Sequence, residues 1–186
     1  MKHKTKTALY LLLHFPGIAI HELSHLIFCW LSGVKVVRVV FFQFKNPPGF
    51  VEHHQPRGVL QSFFISFGPF LFGSVTALAL FWLDIYVGKR LFTHSLLPTL
   101  YNLLTVIFAL YFAISISLNL FPSNEDAKVL LSNVNHHVLN RFNPFAVIIY
   151  PFVFLIHLFN FLKRVHIDWL YTLVLFTLAW WLVIMT

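Results

Sequence analysis

Five stretches of about twenty residues each run almost free of charge, and a chain this short cannot bury so many in a water-soluble globule. They fall at Ala8–Leu31, Val59–Leu83, Leu100–Phe121, Pro144–Leu162 and Trp169–Met185. Of the 186 residues, 59% are hydrophobic and only 10% charged, with 23 Phe and 5 Trp, so little polar surface is left to coat a soluble exterior. The expected fold is an all-α polytopic membrane protein. It forms one membrane-embedded domain over 1–186, with about five transmembrane helices and the lipid bilayer as its constant partner.

The basic start, Met1-Lys2-His3-Lys4-Thr5-Lys6, resembles the head of a signal peptide, but the apolar run behind it is too long for a cleavable one. It is expected to stay as a span. The net charge of +7 comes from basic residues scattered over every connection, which suits lipid headgroups and forms no stripe for nucleic acid. One cysteine, Cys29, excludes an internal disulfide and a cysteine-rich metal site.

Between the first two spans, residues Val34 to Phe44 are dominated by β-branched and aromatic side chains and read as a strand. Asn46-Pro47-Pro48-Gly49 then signals a turn, and Phe50 to His54 reads as the return strand of a membrane-associated hairpin over 34–54. Its edge could take an extended peptide by strand addition; closing the bundle is the plainer role. Gly68-Pro69 interrupts the second span, and Asn143-Pro144 opens the fourth. Residues Pro122 to Phe142 are the one long polar stretch of the second half and read as a loop.

Inside the first span lies His21-Glu22-Leu23-Ser24-His25. Ionisable groups are costly in hydrocarbon, so a cluster there points to a site. On a helix, i and i+4 share a face, and His21 and His25 can grip one metal ion with Glu22 beside it as a general base. Two histidines that only bond neighbouring helices are the bland alternative. A catalytic tetrahedral zinc takes three protein ligands, which leaves one to find. Counting alternate crossings puts Glu52, Glu125 and Asp126 on the side toward which His25 lies, and Asp84 and Asp168 on the other. Glu52 sits in a solvated hairpin beside His53 and His54, and carboxylates at a helix start are also ordinary caps.

Together, His21-Glu22-Leu23-Ser24-His25, Gly68-Pro69 and Asn119-Leu120-Phe121-Pro122 leading to Asp126 resemble the site-2 protease family of intramembrane zinc metalloproteases. The likeness covers roughly residues 8 to 131. It implies a three-helix core over 8–131, zinc held by His21, His25 and Asp126, and Glu22 polarising the attacking water. Residues 144–186 add two further transmembrane helices. Substrates would be transmembrane proteins or peptides, unwound beside the hairpin. A prokaryotic cell membrane with the site toward the cytoplasm is implied as well.

The chain departs from the family in three places. Ala127 follows Asp126 where Gly is usual, no PDZ-like insertion is present, and no asparagine follows Gly68-Pro69. Asn119 is the substitute candidate for a donor to the substrate backbone or oxyanion. His14, Pro16, Gly17 and Asn102, with Asn119, are candidates for a polar water route. Six basic residues on the side of Asp126 face seven on the other, Lys163 and Arg164 among the seven, so charge bias does not orient the chain.

Two readings compete with an enzyme. One is a metal-binding or metal-transporting membrane protein, suggested by 11 histidines and the pairs His53-His54 and His136-His137. The other is an inactive protease relative that acts as an assembly factor.

Overall fold

The computed structural model describes residues 2–94, 100–141 and 144–185. Among the described residues, six α-helices, one short 3-10 turn and a two-stranded sheet follow in the order α1 (Lys2–Leu31), β1 (Val36–Val40), β2 (Phe50–His53), α2 (Val59–His94), α3 (Leu100–Leu118), α4 (Asn124–Arg141), α5 (Pro144–Leu162), the turn Lys163–Val165, and α6 (Ile167–Met185). Among the described residues, Ala8–Leu31, Val59–Leu91 and Ile167–Met185 are long and apolar enough to cross a membrane, and Asn102–Leu118 and Val147–Leu162 are shorter apolar helices.

The long helix α2 organises the rest. It runs antiparallel to α1, with Gln61 Nε2 donating to the Ser32 carbonyl and Phe28 stacked on Phe64. The same Gln61 accepts from the Arg57 and Gly58 N–H groups through Oε1, which caps the helix start. Helix α3 follows α1 in the same direction, marked by Tyr111 against Leu12, Ser115 against Gly17 and Asn119 against His21. At that crossing Gly17 has no alternative, because a Cβ there would collide with the Ser115 carbonyl.

The hairpin is shorter than its sequence suggests. Strands pair antiparallel as Val36 with His53, Arg38 with Glu52, Val39 with Val51 and Val40 with Phe50, with an irregularity between Val36 and Arg38. Beyond Val40 the strand gives way, because Pro47 and Pro48 opposite have no N–H to donate. Gln43 instead folds over the turn, its N–H to the Pro48 carbonyl and its amide to the Pro47 carbonyl.

Residues 124–141 form helix α4, not a loop. Ala127, Leu130 and Val134 lie three and four apart, so a polar sequence still presents one apolar stripe. That stripe packs with Val59 and Phe67 of α2 and Ile149, Val153 and Ile156 of α5. Helix α4 runs back along the start of α2, where Asn133 donates to the Pro56 carbonyl and His137 to that of Arg57. Asn143, expected beside Pro144 at the head of α5, lies outside the described residues.

Because α4 reverses the chain, α5 and α6 run in series and in one direction along α2. Phe152 packs on Phe63 and Phe67, Phe159 on Phe70, Tyr171 bonds Ser74, Phe176 meets Phe81 and Lys89 reaches the Val183 carbonyl. The break between them therefore falls level with the middle of α2. Alternate crossings had put Lys163 and Asp168 on the face away from Asp126; both lie beside it, lining one cavity with it.

Candidate metal centre

Pro69 does not interrupt α2, which stays continuous through it. A proline inside a helix has no N–H for the carbonyl four residues earlier, here that of Ile65. His25 takes it, with Nδ1 at 2.9 Å from the Ile65 oxygen. One turn earlier on α1, His21 Nδ1 lies 2.8 Å from the Asn119 carbonyl, where α3 has just ended and its last carbonyls have no helical partner.

These two bonds fix both rings. A carbonyl only accepts, so each Nδ1 carries the proton and, in the neutral rings, each Nε2 presents a lone pair. The two Nε2 atoms face each other at 3.2 Å. Asp126 closes the group, with Oδ1 at 3.3 Å from His25 Nε2 and Oδ2 at 3.9 Å from His21 Nε2. Three acceptors converge, with no proton of their own to share between two neutral rings and a carboxylate. Such a group suits a cation.

Ligands about 2.0 to 2.1 Å from a tetrahedral zinc stand roughly 3.3 Å apart. Two edges of the triangle match that spacing, and the His21–Asp126 edge is wider. His21, His25 and Asp126 are the one group of three or more such donors among the described residues that lies close enough to hold an ion.

Asp126 reaches the histidines as part of a helix cap. The Ser123 N–H donates to Asp126 Oδ2 at 2.7 Å, and the Asp126 N–H donates to Ser123 Oγ at 3.2 Å, a reciprocal capping box at the head of α4. Cap and candidate ligand are thus one residue. Glu125, one residue away, is exposed and paired to Lys128 at 2.8 Å. Glu52 faces Arg38 in the hairpin and does not line the cavity.

A cavity of about 890 Å³ opens over this triangle. Glu22 lines its wall next to His21, itself buried. The turn between the strands lies directly on it, since a Cβ on Gly49 would come 2.8 Å from Glu22 Cγ. Only glycine allows that approach, so the hairpin is seated on the candidate base. The far wall comes from the break between α5 and α6, with Lys163, His166, Asp168 and Trp169.

Other expected residues divide. Asn119 is at the site, but its side-chain amide donates to His14 Nδ1 at 2.9 Å and to the Ser115 carbonyl at 2.8 Å. Both amide hydrogens are thereby engaged, and its contact with the metal triangle is the main-chain carbonyl. His14 lines the cavity, stacked on Tyr10 at 4.1 Å, while Pro16 and Gly17 are buried where α1 crosses α3. Asn102 lies about 25 Å along α3 from Asn119, at 1.5 Å per residue, and takes no part in the cavity. Asp84, buried in α2, is also elsewhere.

Sequence reasoning missed Lys163, whose ammonium lies 3.1 Å from the Phe121 carbonyl and 3.4 Å from that of Pro122. A charge between two apolar stretches was the available signal. Compared with family models, curated proteins and solved structures, the chain finds no match.

Proposed function

We propose that this chain is an intramembrane zinc metalloprotease of the site-2 protease kind, hydrolysing peptide bonds of transmembrane or membrane-associated substrates. The observation that carries the reading is the convergence of His21 Nε2, His25 Nε2 and the Asp126 carboxylate beside Glu22, within a helix apolar enough to span a bilayer. His21, His25 and Asp126 would hold the zinc ion, which when bound would supply an acidified water and a polarised carbonyl. Glu22 takes the proton of the attacking water and returns it to the leaving amine as the C–N bond breaks. Asn119 and Ile65 hold the Nδ1 atoms of His21 and His25, which leaves the Nε2 lone pairs directed toward the place an ion would take.

The chain crosses the bilayer several times, and α5 and α6 together make one discontinuous crossing in place of two separate ones. A membrane-spanning substrate must unwind before attack, because its carbonyls are spent within its own helix. The edge of the hairpin seated on Glu22 supplies replacement partners.

A transporter would place several ligand sets along a path, and the described residues hold one. Purified protein with Glu22→Gln, assayed for bound zinc and for cleavage of a membrane-spanning substrate, tests the reading. The expected result is zinc retained and cleavage lost by at least about a hundredfold, the usual scale of general-base loss. Cleavage at the wild-type rate would sink the enzyme reading, and a wild type that binds zinc without cleaving anything would favour the inactive relative.

A further inference from the structure

Resting on the metal site proposed above, we infer that the C-terminal pair α5–α6 is a clamp that sets the third ligand, with Lys163 as its positioning residue. Between α3 and α4 the chain passes through Leu120 to Ser123 without regular structure. This strap delivers Asp126 to the histidines. The Phe121 and Pro122 carbonyls have no helix or sheet to pair with, and Pro122 brings no N–H, in a setting where unpaired backbone is costly; the Ser123 carbonyl already takes the Ala127 N–H of α4 at 3.1 Å.

Three consecutive carbonyls of the strap are met from one place. Lys163 Nζ donates to the Phe121 oxygen at 3.1 Å and to the Pro122 oxygen at 3.4 Å, and its charge lies 6.0 Å from the Phe121 ring centre. Asn160, one turn earlier on α5, donates to the Ser123 oxygen at 3.4 Å. Ser123 is in turn the cap partner whose N–H and hydroxyl hold Asp126 from both ends. A continuous chain of bonds thus runs from the end of α5 through the strap to the carboxylate.

The clamp is itself fixed. Helix α5 ends in the turn Lys163–Val165, and His166, at φ 59°, redirects the chain into α6. Helix α6 is pinned to the core by the Tyr171 hydroxyl on Ser74 Oγ at 3.0 Å and Thr172 Oγ1 on Ser117 Oγ at 2.9 Å. Outer groups that orient a metal ligand are typically worth 10- to 100-fold in metal affinity.

The test is metal affinity and coordination in the full-length chain, loaded with Co²⁺ so that the visible spectrum reports ligand number and geometry. Lys163→Met should weaken Co²⁺ and zinc binding about 10- to 100-fold and shift the cobalt spectrum toward that of Asp126→Asn. Lys163→Arg should recover most of it, and Asn160→Ala should show the same change more weakly. Lys89→Met, which removes a lysine-to-carbonyl bond to α6 at the far end of the molecule, supplies the control. It should leave affinity and spectrum unchanged. Wild-type protein that binds cobalt, with Lys163→Met matching it in affinity and spectrum, overturns the clamp alone. Equal weakening by Lys163→Met and Lys89→Met also overturns it, since the effect would then be general loosening. If the wild type binds no cobalt or zinc, the metal site fails first and the clamp with it.

Discussion

Two prolines make the same local defect in two different parts of this protein, and the protein treats the two defects differently. Pro16 in α1 leaves the Leu12 carbonyl without its helical partner, and the Tyr111 hydroxyl of α3 fills the gap at 2.8 Å on an exposed surface. Pro69 in α2 leaves the Ile65 carbonyl in the same condition, in the interior, and His25 fills it at 2.9 Å. The first repair joins two helices. The second also chooses which nitrogen of His25 is left for a metal. A carbonyl freed by a proline thus becomes an outer-layer partner of the proposed site when the group that answers it is a candidate ligand.

The largest effect expected from breaking this contrast is at His25 itself. Replacing it with Ala should reduce bound zinc to background and also destabilise the protein by about 1 to 3 kcal/mol, because the Ile65 carbonyl loses its partner. Zinc analysis and thermal unfolding of the same sample separate the two losses. Pro69→Ala should come next. It restores an N–H that competes for the Ile65 oxygen, and zinc affinity should fall by up to about tenfold in a chelator competition. Unchanged affinity would reduce the Ile65 bond to simple satisfaction of a carbonyl.

Smaller still is the expected result at the other proline. Tyr111→Phe should cost about 0.5 to 1.5 kcal/mol of stability and leave zinc affinity alone. In a Pro16→Ala background, where the Leu12 carbonyl regains its helical N–H, the same Tyr111→Phe change should cost a few tenths of a kcal/mol less. A double-mutant cycle by denaturant unfolding measures that coupling. A change in zinc affinity with Tyr111→Phe would erase the distinction between the two repairs.

The rule that Pro frees the carbonyl four residues back is readable from sequence, and it names Ile65 and Leu12 directly. The sequence does not say that His25 and Tyr111 are the groups that answer. Each partner comes from another helix, and the register between packed helices is decided by close approaches such as Gly17 on Ser115. Asn119 shows the same limit. Its type suggested a side-chain donor, whereas its position at the end of α3 makes the main-chain carbonyl the group that meets His21. Residues 122–142 read as a loop because their polarity hides a stripe of Ala127, Leu130 and Val134, which gains meaning once α2 and α5 are beside it.

Sequence alone determined the apolar runs that demand helices and the spacing that puts His21 and His25 on one face with Glu22 next to them. Both are consequences of helix period and side-chain polarity, which act over a few neighbouring residues. Tertiary structure alone decided the direction of α5 and α6, the approach of Gly49 to Glu22, the tautomer of each histidine and the arrival of Asp126. Those depend on groups far apart in the chain: His25 and Ile65 are 40 residues apart, His21 and Asn119 98. Contacts at such separations are fixed by how the helices pack, and no local pattern encodes them.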